Sequence, residues 1–539
     1  MPLDLSTITS LTLGSMLAKS ADEAPQKTAL VDGERRISYA ELNQMAEDLA
    51  AGLSQLGFSK GDRLAVYMKS SIEFVAAFYA IEKLGLIVAW VNPMYRKHES
   101  EFILSNSGAK GVFIFREWEG YDYLESLLSI RSNLPQLQHI VVVGDGEGSG
   151  VHPYRDLMAR GKAAGSFNAT LINPQTDLAM LIYTSGTTGN PKGAMITHYQ
   201  AVRAGYQYSL GVNATAEDIF IGVLPMSHSY GCGAILIQPF LLQATLVLME
   251  SFKPEKAFAL IEKEKITLQH AAPAHYILEL SHKNRSNYDL TSLRAGLIAG
   301  QPAPEGLMRR VEEEMGVYLT SFWGASEVGP GLGILCPYPS PLGIREQYIG
   351  LPIQGTEVKV VDPATREPLP DGEVGELTVS GWHVLKGYWN NPAETEKQVK
   401  GGWLFTGDLV SRNESGYISI YGRIKDLINK GGYKITPFEL ESLIIEHPSV
   451  REVSVVATPN PVLGESICAC VILFDDKSLT LNELKTFLSA KVSQHKFPDE
   501  LCIMEDFPRL SGGVKLKKFG KGGIAELAAL DKTREGYRG

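Results

Sequence analysis

The first 340 residues alternate between amphipathic helical segments and short apolar strands, and this alternation constrains the fold more than any other feature. Strands are predicted at 63–67, 112–115, 139–143, 178–183 and 246–249. A helix is predicted after Ser38, because Ser38 suits an N-cap, Glu41 follows three residues later, and apolar residues recur at helical spacing. Strands that alternate with helices form parallel sheets with helices on both faces. The sequence therefore predicts an α/β domain with largely parallel sheets.

The pattern changes after residue 345. Glycine, proline and short alternating strands (357–361, 376–380 and 417–421) predict a β-barrel-like subdomain. Beyond residue 425, helices at 437–445 and 481–492 and strands at 450–457 and 468–474 predict a compact α+β domain. We expect an N-terminal domain at 1–422, with α/β subdomains at 1–170 and 171–345 and the β-barrel-like subdomain at 346–422. A hinge at 423–426 and a small mobile cap domain at 427–539 would follow.

Charge and cysteine content exclude several classes of protein. The chain has 539 residues, 51 basic and 61 acidic, and a formal net charge of −10, which disfavours general nucleic-acid binding. Its five cysteines show neither disulfide-framework nor zinc spacing, so we expect buried thiols in a reducing cytoplasm. No signal-peptide pattern is evident at the N-terminus. Residues 231–249 are apolar but interrupted by polar residues, which favours a buried helix and strand over a membrane span.

The most specific local motif is Tyr183-Thr-Ser-Gly-Thr-Thr-Gly-Asn-Pro-Lys-Gly193. An apolar strand leads into a loop with three glycines, four hydroxyl residues and one lysine. Glycines allow backbone N–H groups to approach an anion, hydroxyls donate hydrogen bonds, and Lys192 supplies a mobile cation. The spacing is not that of a Walker loop. The motif predicts a cradle for nucleotide phosphates, and a flexible surface turn is the less specific alternative.

Further motifs follow this loop in order, and together they resemble the adenylate-forming superfamily of acyl-CoA synthetases, peptide-synthetase adenylation domains and luciferases. They are Leu224-Pro-Met-Ser-His-Ser-Tyr-Gly231, Phe322-Trp-Gly-Ala-Ser-Glu327, Gly375-Glu-Leu, Gly387-Tyr-Trp-Asn, Trp403-Leu-Phe-Thr-Gly-Asp408 and Tyr421-Gly-Arg-Ile-Lys-Asp426. The resemblance covers nearly the whole chain. It implies that ATP and Mg²⁺ are bound.

The resemblance also implies roles for individual residues. The cofactors, ATP and coenzyme A, would be bound by Thr184, Ser185, Gly186, Thr187, Thr188, Gly189, Lys192, Gly324, Ser326, Asp408, Arg423 and Lys430. The acyl pocket would be lined by His228, Tyr230, Gly300, Gln301 and Trp323. Catalytic roles fall to Lys515, Glu327, Thr184 and His228, with Glu327 as the magnesium ligand and Lys425 as the hinge. Ordinary structural roles remain open: Asp408 can stabilise a turn, and His228 can be a core residue.

The sequence departs from the family pattern at two places. Family members carry an adenylation lysine six residues after a proline, but Val514 occupies that position here and Lys515 follows it. Either a one-residue insertion after Gly512-Gly513 brings Lys515 to the same point, or Lys192 and Mg²⁺ replace it. Gln301 also enters a turn that is usually rich in glycine and alanine, which indicates an unusual floor of the acyl pocket.

The function implied by the resemblance is ATP-dependent activation of a carboxylic acid through an acyl-adenylate, followed by transfer to coenzyme A. Lys430-Gly-Gly-Tyr-Lys434 resembles the segment beside the family's pantetheine tunnel. The displaced lysine keeps two alternatives open, an amide-forming ligase that uses an amino acid as acceptor and a nucleotide sensor without turnover. The acid is left open, and the chain could be a monomer or a homodimer.

Overall fold

The computed structural model of the chain describes residues 5–167, 170–184, 190–301, 303–509 and 516–536. It contains four large sheets, with helices packed around the first two. The expected mixed α/β architecture with parallel-rich sheets and a small C-terminal domain is confirmed. The phosphate-loop residues Ser185, Gly186, Thr187, Thr188 and Gly189, and the proposed catalytic Lys515, lie outside the described residues.

The largest sheet has nine strands, and its central six are parallel. In spatial order the strands are Leu351–Pro352, Ile334–Leu335, Tyr318–Trp323, Ala295–Ile298, Leu268–Gln269, Ile219–Gly222, Thr245–Leu248, Thr28–Asp32 and Arg35–Ser38. The inner strands are almost wholly buried, as expected for parallel strands covered on both faces.

The second sheet has seven strands and is parallel except at one edge. Its spatial order is Lys192–Thr197, Leu178–Thr184, Ile87–Trp90, Arg63–Tyr67, Gly111–Phe115, His139–Val143 and Val151–Pro153. The antiparallel edge is a hairpin whose two strands flank the phosphate loop. Thr184 and Lys192 are paired across this hairpin, so these two predicted site residues lie opposite each other at an edge of the sheet.

The chain passes twice between these two sheets. Thr28–Asp32 and Arg35–Ser38 pair with strands from the later part of the chain, while Leu178–Thr184 and Lys192–Thr197 join the earlier strands. The strands on both sides of residue 170 therefore belong to the same sheet, although the sequence predicts a boundary between the first two subdomains there. The reason is long-range strand pairing, which local periodicity does not encode.

The remaining strands form two antiparallel-rich sheets and one small hairpin. The third sheet contains Thr356–Val361, Gly375–Gly381, Trp403–Arg412, Val399–Lys400 and Ile418–Arg423. The fourth, in the C-terminal part, contains Tyr433–Ile435, Ile428–Lys430, Gly464–Leu473, Val450–Asn460 and Glu500–Ile503. The small hairpin pairs Glu117–Trp118 with Tyr121–Asp122. A short turn at Ile424–Asp426 connects the third and fourth sheets, inside the predicted hinge.

Helices cover the sheets and follow the sequence signals. In chain order they are Leu5–Ile8, Leu13–Glu23, Tyr39–Ser54, Ile72–Lys83, Lys97–Ser107, Tyr123–Ile130, Tyr154–Ala164, His198–Leu210, Ser229–Gly231, Cys232–Ile237 (a π-helical turn), Gln238–Leu242, Pro254–Glu264, Pro273–Leu280, Leu307–Met315, Leu342–Gln347, Pro392–Gln398, Pro437–Ile444, Leu481–Leu488 and Ile524–Leu530. Short 3₁₀ turns lie at Arg131–Asn133, Arg285–Asn287, Ile424–Asp426 and Gln494–Lys496. The predicted capping box is present, because Ser38 Oγ accepts from the Glu41 amide and Glu41 accepts from the Ser38 amide.

The core of the N-terminal part is centred on the buried helix Ile72–Lys83. Trp90 stacks on Phe74 and Phe78 of this helix, with ring centroids 5.3 and 5.6 Å apart. All five cysteines are buried and unpaired, as predicted, and Cys468 and Cys470 share one strand face with sulfurs 3.9 Å apart. Across the described ranges, we find no helix with both the length and the apolar character needed to span a bilayer.

Candidate active site

Several predicted site residues lie at the carboxyl ends of parallel strands in the nine-stranded sheet. His228 follows Ile219–Gly222, Gly300 follows Ala295–Ile298, and Trp323 ends Tyr318–Trp323. In open α/β sheets, ligands bind at this edge because the loops after the strands converge there. The fold therefore brings residues from three sequence motifs to one edge.

Asp408 is a buried carboxylate with two side-chain partners. It is 3% exposed and pairs in register with Arg423 across two antiparallel strands. Arg423 Nε donates to Asp408 Oδ1 at 2.8 Å, and Trp323 Nε1 donates to Asp408 Oδ2 at 2.8 Å. The Asp408 charge raises the pKa of Arg423 above its usual value, and Glu327 adds to the effect. A carboxylate oriented in this way still has lone pairs for two ligand hydroxyls.

Glu327 lies next to this pair and is fixed by a tyrosine. Tyr388 Oη donates to Glu327 Oε1 at 2.9 Å, and the Glu327 carbonyl accepts from the Leu385 amide at 2.8 Å. Burial raises the pKa of Tyr388 above its usual value, and the Glu327 charge raises it further, so the phenol remains a donor. Half-buried Glu327 keeps oxygen lone pairs suited to a hard cation.

The predicted magnesium site can be compared with these donors. Within the described ranges, no three His, Cys, Asp or Glu side chains are grouped so as to hold a metal. Mg²⁺ is commonly held by one or two carboxylates together with substrate phosphates and water. Glu327, beside the anchored phosphate-loop hairpin, fits that mode of binding and does not fit an all-protein cage.

Lys192, for which the sequence predicts a mobile cation, has an acidic partner in the structure. Its ammonium forms an ion pair with Glu394, and the two side chains are only 7% and 13% exposed. Its Nζ also lies 5.7 Å from the centre of the Tyr388 ring. Lys192 is therefore held beside the phosphate loop by a counter-ion 202 residues away in sequence.

Gly324 and Ser326 occupy the turn between Trp323 and Glu327. Ser326 Oγ donates to Ser229 Oγ at 3.2 Å, which ties this turn to the His228 loop. A Cβ at Gly324 would lie 1.7 Å from the carbonyl oxygen of Gly331. Only glycine allows the two backbones to approach this closely.

A Gly324→Ala substitution should therefore damage both stability and activity. The added methyl must displace the backbone at Gly331, which we expect to cost about 1–3 kcal/mol and to lower the thermal unfolding midpoint by several degrees. Gly343→Ala is the matched control, because a Cβ there meets no atom within 4 Å. Equal unfolding midpoints for the two variants would contradict the packing argument.

The predicted acyl-pocket residues are divided between the surface and the interior. His228, Gly300 and Gln301 are exposed, and His228 Nδ1 accepts from the Tyr230 amide at 3.3 Å. Tyr230 is buried and donates to the Leu297 carbonyl at 2.8 Å. Its ring lies 4.8 Å from Phe322, and Trp323 is 5% exposed. Tyr230 and Trp323 thus belong to an aromatic wall behind the exposed residues.

Two of the predicted lysines, Lys430 and Lys425, have different environments. Lys430 Nζ pairs with Asp499 Oδ1 at 2.7 Å and donates to the Phe497 carbonyl at 3.3 Å, so it is engaged inside the C-terminal domain. Lys425 is exposed in the Ile424–Asp426 turn that connects the two parts of the chain. This position suits a hinge, and that role stays a prediction.

Three residues of the site were not assigned from sequence: Tyr388, Glu394 and Gln398. Among these three residues, the sequence motifs include only Tyr388, in Gly387-Tyr-Trp-Asn, and they give no role to this tyrosine. Residues 386–389 hydrogen-bond to the strand Lys192–Thr197 through Met195 and Gly193, which brings Tyr388 to the site.

The chain is similar to known proteins along most of its length. Residues 17–389 match the AMP-binding enzyme family, and residues 439–513 match the AMP-binding enzyme C-terminal domain. The medium-chain fatty-acid–CoA ligase of Escherichia coli is 32% identical over 93% of this chain and 88% of its own. The long-chain-fatty-acid–CoA ligase of Bacillus subtilis is 30% identical over 94% of this chain and 93% of its own.

Solved structures show the same fold. The anthranilate CoA ligase AuaEII in complex with anthranoyl-AMP aligns with a TM-score of 0.88 and 27% identity over 97% of this chain and 98% of its own. ATP-bound MatB from Rhodopseudomonas palustris aligns with a TM-score of 0.83 and 25% identity over 96% of this chain and 98% of its own. The family match spans well over half of the sequence, and both parts of the match are in the expected order. The chain therefore belongs to the AMP-binding enzyme family.

Proposed function

We propose that this enzyme is an AMP-forming acid–CoA ligase, which activates a carboxylic acid with ATP and transfers the acyl group to coenzyme A. The observation that carries the proposal is Asp408, held by Trp323 and Arg423 beside Glu327, in a chain whose relatives are named as CoA ligases. A buried carboxylate in this setting is suited to the hydroxyls of a nucleotide ribose. The neighbouring Glu327 and Lys192 supply the charges that a polyphosphate requires.

In the first half-reaction, a carboxylate oxygen of the acid attacks the α-phosphorus of ATP. The bond from that phosphorus to the bridging oxygen breaks, and pyrophosphate leaves with the oxygen. All reactants are anions, so the protein acts mainly by aligning them and neutralising charge. Asp408 and Arg423 would fix the ribose, and Thr184, Ser326 and Lys192 would contact the phosphates. We also assign phosphate contacts to residues 185–189 and alignment of the reacting groups to Lys515.

Bound Mg²⁺ would neutralise phosphate charge, and Glu327 is the residue that would hold it. Tyr388 Oη lies 2.9 Å from Glu327 Oε1 and orients this carboxylate when it donates its hydrogen there and not to Gln398 Oε1. A carboxylate fixed in advance loses less freedom when its ligand binds.

In the second half-reaction, the sulfur of coenzyme A attacks the carbonyl carbon of the acyl-adenylate. The bond to AMP breaks, and the thiol proton is released. We assign to the C-terminal domain a rotation about Lys425 between the two half-reactions. Lys430 would then act near the pantetheine tunnel, after leaving Asp499 or while still paired with it.

We further propose that the acid carries a hydrophobic group. The aromatic wall behind His228 supports this, since Tyr230 packs against Phe322 and Tyr208. The named substrates of the relatives, medium- and long-chain fatty acids and anthranilate, are also largely apolar. ATP and coenzyme A are intracellular, so we place the reaction in the cytoplasm.

The proposal predicts a defined pattern in two assays. With a panel of fatty and aromatic acids, ATP–pyrophosphate exchange should appear with at least one acid, and AMP release should then require coenzyme A. Mass spectrometry should detect the acyl thioester. Amide formation with an amino acid, and no thioester, would instead identify an amide-forming ligase. A complete lack of exchange with every acid would favour a sensor.

A further inference from the structure

Glu394 forms an ion pair with the buried Lys192 side chain. The sequence motifs assign no role to Glu394. Burial acts to raise the pKa of Glu394, but hydrogen bonding and the charge of Lys192 outweigh it, so the pKa lies below its usual value. Glu394 is therefore an anion next to the predicted phosphate site. An acidic side chain in that position opposes the binding of a polyphosphate.

The structure fixes Glu394 in place through its own helix. The Glu394 amide donates to Asn391 Oδ1 at 3.1 Å, at the start of the helix Pro392–Gln398. Gln398 Nε2 donates to Glu394 Oε1 at 3.1 Å. The Asn391 contact thus fixes the backbone at Glu394, and Gln398 binds the same carboxylate oxygen that pairs with Lys192.

The same contacts connect Glu394 to the predicted magnesium carboxylate. Tyr388 Oη lies within hydrogen-bond distance of both Gln398 Oε1 and Glu327 Oε1. Its single hydrogen can serve only one of these oxygens at a time. A chain of polar contacts therefore runs from Glu327 through Tyr388, Gln398 and Glu394 to Lys192.

Lys192 also borders open space. Together with Asn190, Pro191 and Asn391, it lines a cavity of about 250 Å³. Asn190 and Pro191 directly follow the phosphate loop in sequence. An ammonium on a flexible four-carbon stem that borders this cavity can move from Glu394 to a phosphate on this side.

We propose that Glu394 is a positioning residue that holds Lys192 in the absence of nucleotide and releases it to the phosphates when ATP binds. ATP must compete with Glu394 for the lysine, so the pair weakens ATP binding. After the first half-reaction, the carboxylate reclaims the lysine and assists the departure of pyrophosphate. This inference rests on the proposed function, because it assumes that Lys192 contacts phosphate.

The test is Glu394→Gln, which keeps the shape of the side chain and removes the charge. We expect the KM for ATP to fall about five- to thirty-fold, the effect of one charge in a half-buried site. The inhibition constant of pyrophosphate should fall by a similar factor, while the KM values for the acid and coenzyme A stay unchanged. A merely structural defect would raise the KM for ATP.

Two control experiments distinguish the release of Lys192 from a general effect of negative charge. Glu396→Gln removes the same charge from an exposed position on the same helix, and we expect wild-type kinetics. In a Lys192→Met background, Glu394→Gln should no longer change the KM for ATP. If the improvement persists there, Glu394 acts only as a nearby negative charge, and the proposed release of Lys192 is wrong.

A direct measurement of nucleotide binding tests this inference independently of the proposed function. Binding of a non-hydrolysable ATP analogue by calorimetry does not require any acid or coenzyme A. Tighter binding to Glu394→Gln would support the inference even if the acyl acceptor is not coenzyme A. Unchanged or weaker binding overturns it even if the enzyme proves to be a CoA ligase.

Discussion

Asp408→Asn is expected to reduce kcat/KM for ATP by about 10²–10³-fold, the range seen when one fixed polar contact to a reacting ligand is lost. The substitution keeps the volume of the side chain but removes the charge that pairs with Arg423. It also replaces one acceptor oxygen by an amide nitrogen, which cannot accept a hydroxyl. The effect should appear in ATP–pyrophosphate exchange, because that assay needs only ATP and the acid.

Asp371→Asn is the matched control for this prediction. Asp371 pairs with Arg412 at 2.7 Å, and Arg412 lies on the same strand as Asp408, but both side chains of that pair are about one-third exposed. Breaking such a pair costs little. Thermal unfolding of both variants should show that they are folded. A folded Asp408→Asn enzyme with the wild-type KM for ATP would remove Asp408 from the nucleotide site.

Lys515→Ala is expected to lower the rate of acyl-adenylate formation by 100-fold or more, on the order of the loss of a key electrostatic contact in a transition state. Lys515 is one residue beyond the family position, and its placement lies outside the described residues. The prediction therefore tests the insertion hypothesis directly. The second half-reaction, started from synthetic acyl-adenylate and coenzyme A, should be much less affected.

Neighbouring lysines provide the controls. Lys518 Nζ pairs with Glu441 Oε1 at 2.5 Å, so it is engaged within the C-terminal domain, whereas Lys521 is exposed. We expect Lys521→Ala to behave as wild type in both half-reactions. Normal exchange in Lys515→Ala would instead favour the alternative in which Lys192 and Mg²⁺ supply the positive charge.

Local elements could be predicted from the sequence with good accuracy. The strands Arg63–Tyr67 and His139–Val143 begin and end where the apolar runs do, and the capping box at Ser38 and Glu41 has the predicted contacts. Such features depend on residues that are close in sequence, so periodicity and capping chemistry suffice to find them.

The pairings between distant residues could not be predicted in this way. The sequence predicts a mobile cation at Lys192 but does not reveal its partner Glu394, 202 positions away, nor the contact of Tyr388 with Glu327 across 61 positions. The indole of Trp323 was assigned to the acyl pocket, but its N–H is used by Asp408. Each of these side chains has several chemically reasonable partners in the sequence.

The sequence by itself determined the α/β class, the order of the elements and the set of charged and hydroxyl residues suited to a nucleotide. Backbone propensity, hydrophobic period and side-chain chemistry are local properties, so they can be recognised in short segments of sequence. The tertiary structure alone decided that strands 28–38 join the later sheet, that Asp408 lies between Trp323 and Arg423, and that Lys192 is held by Glu394. Those outcomes depend on which distant surfaces pack together, and the free energy of that packing is shared over the whole core.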